Sequence, residues 1–179
     1  MKLVRRTSMV WAAALILAVA GETRAADLPD AAAKQVAGLF MQSCVQFAGD
    51  KDALRGWAGK IGLRVLPPAV QARFLAGRPG AVFDASNQDG KFVLVSEDGG
   101  SCSVIAEMAS GTQTIADLEK DLNDARIGFT MTAKARDSEE KLLQHREYVA
   151  SRGDRGWLLL ISTVKDPVGG QVMLTASRN

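Results

Sequence analysis

A series of short apolar segments, separated by turns that contain glycine, constrains the fold of this 179-residue chain most strongly. Glycine occurs in the stretches 87–90, 98–100 and 153–156, where it adopts a positive φ angle at little cost. Because such short turns join neighbouring antiparallel strands, the sequence predicts a mostly antiparallel sheet of about six to seven strands. The segments lie at 81–86, 91–97, 101–108, 127–133, 142–151, 157–164 and 171–176.

Segment 142–151 is open to two interpretations. Glu139, Glu140 and Leu142 favour a helix by their propensities. The glycine-containing turn at 153–156 favours a hairpin instead. We interpret the segment as a strand, which leaves the helix as the alternative.

Helical spacing dominates the part of the chain before residue 80. A first helix is expected to begin near Asp27, which can cap it. A second is predicted from Asp52, and a third at 69–76. One apolar face of the first helix is formed by residues spaced four, four and three apart: Val36, Phe40, Cys44 and Phe47.

A fourth helix is predicted in the middle of the chain, with a capping box at Thr114–Asp117. Its acidic residues are interpreted as a solvated face, whereas its apolar residues face the core. Together these elements predict an α+β fold in which the N-terminal helices and the mid-chain helix pack on one face of the sheet. The predicted apolar positions of the fourth helix are Ile115, Leu118, Leu122 and Ala125.

The first 25 residues have the layout of a secretory signal peptide. Lys2, Arg5 and Arg6 form a positive head, and residues 9–20 form an unbroken apolar run. As a helix this run would measure about 18 Å, against about 30 Å for the hydrocarbon core of a membrane. We therefore expect cleavage after Ala25 and a single domain at 26–179, with an uncleaved anchor as the alternative. The arginine pair leaves open whether export uses the general or the twin-arginine route.

Removal of this segment changes the charge of the chain. The whole sequence has 22 basic and 20 acidic residues, whereas residues 26–179 have 18 basic and 19 acidic residues and a formal charge of −1. The basic excess therefore belongs to the export signal. With aromatic residues at only 6%, we expect no nucleic-acid partner, and no membrane span after cleavage.

Export also changes the interpretation of the two cysteines. Outside the cytosol a pair of cysteines in a small domain usually forms a disulfide, so Cys44 and Cys102 are predicted to be linked. A reactive thiol or two unpaired buried thiols are the alternatives. The sequence contains no Cys-x-x-Cys motif, and neither cysteine has a histidine beside it.

Motifs for catalysis, metal binding and cofactor binding are missing from the sequence, so we predict no catalytic residues, metal ligands or cofactor. The only histidine, His145, lies in a polar stretch and is interpreted as an exposed strand residue. A hydrolase could still combine carboxylates from distant positions. Such an enzyme would need two of four candidates to converge in a pocket: Asp84, Glu97, Glu107 and Glu147.

Several segments between residues 30 and 110 resemble an uncharacterised family of small exported proteins of Gram-negative bacteria. They are a helix with Phe40 and Cys44, the stretch 76–80, and the strand motif Asp-Gly-x-x-Cys-x-Val at 98–104. The resemblance implies a periplasmic location and a disulfide, and no catalytic residue carries over.

These observations favour a non-catalytic module that binds another periplasmic or envelope protein, of the accessory, inhibitor or immunity type. The alternatives are a cell-envelope hydrolase and a protein that binds a small apolar ligand between the N-terminal helices and the sheet. Their distinction requires the tertiary structure.

Overall fold

The computed structural model describes residues 24–134, 143–164 and 169–179. Within these ranges the chain has the predicted α+β architecture, with helices packed on an antiparallel sheet. The predicted signal peptide lies outside the described residues except for Arg24 and Ala25. These two residues begin the first helix, three positions before the predicted cap at Asp27.

The helices form close to their predicted positions. Asp50 caps the second helix by accepting a hydrogen bond from the Ala53 N–H at 3.0 Å. The fourth helix begins earlier than predicted because Ser110, and not Thr114, caps it. Thr114 is buried, and its hydroxyl donates to the Ser110 carbonyl. The described helices are α1 (Arg24–Phe40), a π-helical turn (Met41–Val45), α2 (Lys51–Lys60), α3 (Pro68–Leu75) and α4 (Gly111–Asp124).

The sheet has eight strands, one more than the upper limit of the prediction. The additional strand is β1, whose two residues are too few to show an alternating pattern in the sequence. The ambiguous segment is a strand from Leu143 onward, as interpreted. The strands are β1 (Arg64–Val65), β2 (Gly80–Asp84), β3 (Phe92–Glu97), β4 (Cys102–Ala109), β5 (Gly128–Lys134), β6 (Leu143–Arg152), β7 (Arg155–Val164) and β8 (Gly170–Arg178).

All neighbouring strands are antiparallel, in the order β1-β2-β3-β4-β8-β7-β6-β5. Strands β1–β4 form one half of the sheet. Helix α4 then leads to β5 at the opposite edge, and β5–β8 return step by step to the centre. The two halves of the chain join where β8 pairs with β4.

One face of the sheet is covered by α1 and α4, and we call it the covered face. Val36, Ala37 and Phe40 of α1 and Leu118 of α4 have no exposed surface. They pack against alternate residues of the strands, among them Leu174 of β8. Burial of each large apolar side chain contributes about 1.5–3 kcal/mol, so this layer is the main core.

Helix α3 packs on the opposite face and covers only the first half of the sheet. Its Leu75 is buried against Val82 of β2 and Val95 of β3. The prediction that all helices lie on one face is therefore wrong. Residues 92–95 are apolar at every position, and this run requires cover on both faces.

Candidate functional site

The second half of the opposite face is formed by β8, β7 and β6, and no described helix covers it. Leu158 and Val149 are 42% and 38% exposed, and they face each other across β7 and β6. Leu160 and Met173 beside them are half-buried. We call these four residues, together with the polar side chains between them, the open sheet face.

The polar side chains of the open sheet face bond to one another. Ser103 and Thr175 share a hydrogen bond of 2.8 Å across β4 and β8. His145 Nδ1 lies 2.8 Å from Ser162 Oγ across β6 and β7. These pairings satisfy polar atoms within an apolar surface.

His145 was interpreted as an exposed strand residue, and in the structure it is half-buried and pairs with Ser162. A serine nucleophile needs a general base, an acid that orients the base, and donors for the oxyanion. The backbone N–H groups of β6 and β7 are committed to the sheet, because the two residues form a register pair. No described carboxylate bonds to the other nitrogen of the ring. In this geometry the pair is a cross-strand hydrogen bond that links β6 to β7.

The four candidate carboxylates do not converge. Asp84 accepts hydrogen bonds from Ser86, which lower the pKa of its carboxyl group, and the ion pair with Arg64 at 3.0 Å lowers it further. A general acid must hold its proton, and a lowered pKa opposes this. Glu147 is exposed on β6. The two other carboxylates bind separate cations, in the pairs Arg78–Glu97 at 2.9 Å and Lys91–Glu107 at 3.8 Å.

The predicted disulfide between Cys44 and Cys102 is present. The two Cα atoms are 5.1 Å apart, and both residues are buried in the main core. The π-helical turn holds Cys44 over β4, and it also directs the Val45 carbonyl to Trp157, whose Nε1–H donates to it at 2.9 Å. Because both sulfur atoms are inaccessible, the bond has the environment of a structural crosslink.

A pocket of about 480 Å³ lies between the start of α1 and the turn that joins β2 to β3. Leu28 and Met108 form its apolar walls and are 55% and 58% exposed. Met108 has a φ angle of +59°, which is strained for a residue with a side chain, at a bulge in β4. One alternative from the sequence was a small apolar ligand between the N-terminal helices and the sheet, and this pocket borders α1 and the sheet. Its polar rim includes Asp89 and Lys91.

A polar network links α4 to β6 at the covered face. The Tyr148 hydroxyl donates to Glu119 Oε1 at 2.6 Å, and Arg146 lies 3.5 Å from the same oxygen. Burial raises the pKa of Tyr148, and the Glu119 carboxylate raises it further. Glu119 was assigned to a solvated acidic face by its sequence context, and the structure gives it this anchoring contact as well.

Among the described residues, no helix is long and apolar enough to cross a membrane. The same part of the chain contains no group of three side chains that could hold a metal ion. Comparison with protein-family models, with curated proteins and with solved structures yielded no match.

The sequence contained one signal for the open sheet face. Residues 157–161 are apolar at five consecutive positions, which indicates a strand with two apolar faces. Which of those faces lacks a cover depends on where α3 ends, and the local sequence holds no information on that.

Proposed function

We propose that this protein is an exported, non-catalytic module that binds another protein of the periplasm or cell envelope on the open sheet face. The observation that carries the proposal is the exposure of Leu158 and Val149 in the middle of regular strands. Contiguous apolar surfaces of this kind mark interaction sites in soluble proteins.

The composition of the open sheet face supports this proposal. Charged residues are depleted at the centre of protein interfaces, and Glu147 is the only charged side chain among its central rows. The hydroxyl and imidazole groups are already paired within the face. A partner could therefore cover these groups without leaving them unpaired, and it would have to supply a donor or a cation for the exposed Glu147 carboxylate.

The proposed location rests on four observations. The N-terminal segment has the pattern of an export signal, and the disulfide suits an oxidising compartment. Cleavage after Ala25 would also leave Pro29 in the first turn of α1, where proline is tolerated. The resemblance to an exported family of Gram-negative bacteria points to the same compartment.

The test compares the exported protein with the variant L158T/V149T in pull-downs from periplasmic extract at physiological salt. Threonine keeps the strand propensity while it removes apolar surface. We expect a protein that is recovered by the wild type and lost with the variant. The matched control is V65T, which changes an exposed apolar strand residue elsewhere, 59% exposed.

Two results would contradict the proposal. One is repeated pull-downs that recover no partner with any form of the protein. The other is equal recovery by the wild type and L158T/V149T. Size-exclusion chromatography of the purified protein shows whether a second copy of the chain occupies the surface instead.

A second candidate function is the binding of a small apolar ligand, and the pocket beside Met108 favours it. Its volume of about 480 Å³ lies within the range of about 300–1,000 Å³ that is usual for ligand pockets. The polar rim formed by Asn87 and Asp89 would fix the orientation of a ligand whose body lies against Leu28.

The neutral dye Nile red tests this second candidate. We expect a saturable rise in its fluorescence that L28E abolishes and L158T/V149T leaves intact, since the first change puts a charge in the pocket. Absence of saturable binding, or binding that only L158T/V149T removes, would contradict a ligand site at this pocket.

A further inference from the structure

Three arginines meet at the end of the sheet where β6 turns into β7. Arg152 and Arg155 form a direct cross-strand pair in the hairpin. Arg178 lies on the adjacent strand β8, opposite Trp157. All three are exposed, and strand alternation places them on the same side of the sheet. Like charges directly opposite each other destabilise a hairpin, so this arrangement carries a cost.

Described acidic residues do not neutralise the cluster. None of the three arginines forms an ion pair with a described carboxylate, although Asp154 lies in the same hairpin turn. Arg152 donates to the Ala125 carbonyl at 3.1 Å, at the C-terminal end of α4. That bond explains the position of the Arg152 side chain, since a cation is favourable at the C-terminal end of a helix.

Arg155 and Arg178 instead border a cavity of about 290 Å³ next to the π-helical turn. The aliphatic stem of Arg178 lies against Gly49, where an added Cβ atom would come within 3.0 Å of its Cδ. The lining of the cavity is more apolar than polar and includes Phe47 and Trp157, whose ring N–H donates to the Val45 carbonyl.

One acidic side chain, Asp50, also lines the cavity. Its Oδ1 accepts the hydrogen bond from the Ala53 N–H that caps α2, so this oxygen is already bonded. The negative charge lies on the α2 side of the cavity, whereas the guanidinium groups lie on the sheet side. An anionic ligand is therefore restricted to the sheet side.

We propose that this cavity binds a small organic anion, with its carboxylate or phosphate group on Arg155 and Arg178 and its apolar body against Phe47 and Trp157. Guanidinium groups bind both kinds of anion through paired, charge-assisted hydrogen bonds. Binding would also relieve the repulsion between Arg152 and Arg155. The site is separate from the open sheet face and does not depend on a protein partner.

The test uses the ¹⁵N-labelled exported protein and two aromatic probes, benzoate and phenyl phosphate. The indole N–H signal of Trp157 reports on the cavity. We expect a saturable shift with at least one probe, a weaker effect at high salt, and no effect of neutral benzyl alcohol. The two probes distinguish a carboxylate from a phosphate ligand.

The variant R155Q/R178Q should weaken binding by about tenfold or more, because it removes both of the guanidinium groups that form charge-assisted bonds to the anion. Glutamine keeps an aliphatic stem with a polar end and removes the charge, and R155Q alone serves if the double variant does not fold. The matched control is R73Q, an exposed arginine on α3. It should bind the probes as the wild type does.

Three results would overturn the proposal. The first is the absence of a saturable shift with either probe. The second is a shift that R155Q/R178Q and R155Q leave unchanged. The third is binding of inorganic phosphate as tight as that of phenyl phosphate, because the apolar walls would then contribute nothing.

Discussion

The two faces of the sheet are built from the same strands but differ in what covers them. On the covered face, Leu174 packs beneath α1 and α4 and has no exposed surface. On the other face, Leu158 lies on the neighbouring strand and is 42% exposed. An apolar strand residue therefore does not by itself indicate a core position, and the difference separates the part of the sheet that lies under α1 and α4 from the part that no described helix covers.

The disulfide belongs entirely to the covered face, and its loss should have the largest effect. We expect C44A/C102A to lower the free energy of unfolding by about 4 kcal/mol, because the crosslink closes a long loop in the unfolded chain. The sequence separation is 58 residues. Urea unfolding of the exported protein measures this difference, with L158T/V149T as a control that leaves the bond in place. A loss below about 1 kcal/mol would show that the crosslink is not needed to hold α1 on the sheet.

The next prediction compares one leucine from each face. L174A should cost about 3 kcal/mol, since it leaves a cavity in a closely packed layer. L158A should cost less than about 1 kcal/mol, because that side chain remains in contact with water. Denaturant unfolding of the two variants in parallel provides the measurement. Equal losses would mean that the open sheet face is covered in the folded protein.

A smaller effect is expected from the polar anchor of the covered face. Y148F should lower the free energy of unfolding by about 1 kcal/mol, because the bond to Glu119 is lost while the ring still packs on Phe129. Unfolding at neutral pH measures this loss, and no loss would mean that the bond does not anchor α4.

The same tyrosine predicts a dependence on alkaline pH. The pKa of Tyr148 is raised above its usual 10.0 in the folded protein, so its neutral form is favoured there. Stability should therefore fall as the pH rises above about 10, and Y148F should remove that part of the dependence. Tyr148 is the only tyrosine, so its ultraviolet titration can be followed directly. A midpoint at or below 10 would contradict the buried contact.

The smallest effect is expected at Asp84, on the opposite face of the sheet. Its pKa is lowered by hydrogen bonds from Ser86 and by Arg64, so the ionised form is favoured in the folded state. Its contribution is present above the unfolded pKa of about 3.9 and is lost as the pH falls through the folded value. D84N should cost only a few tenths of a kcal/mol at neutral pH, since the ion pair is largely exposed. An NMR titration midpoint above the unfolded value would contradict the assignment.

Local sequence patterns predicted most of the helices and strands, because the spacing of apolar residues and the residue types of turns are set within a few positions. Seven of the eight strands were predicted from apolar patterns and glycine-containing turns. Strand β1 was not predicted, because two residues are too few to show an alternating pattern. The start of α4 was misplaced because Thr114 and Asp117 were taken as the capping box, whereas Ser110 caps the helix by accepting from the Gln113 N–H.

The binding surfaces could not be predicted in the same way. The pairing of His145 with Ser162 and the proximity of Arg155 and Arg178 depend on the register of strands that are distant in sequence. The charge count was also uninformative, because a net charge of −1 for residues 26–179 does not show that arginines gather at one end of the sheet.

By itself, the sequence determined the strand-rich α+β class, the expectation of export and the pairing of its two cysteines. Each of these depends on composition or on short-range spacing. Only the tertiary structure decided which half of the sheet lies open and which charges meet. The physical reason is that α3 is too short to cover more than two strands, and that sheet order brings β8 beside β7 and β4.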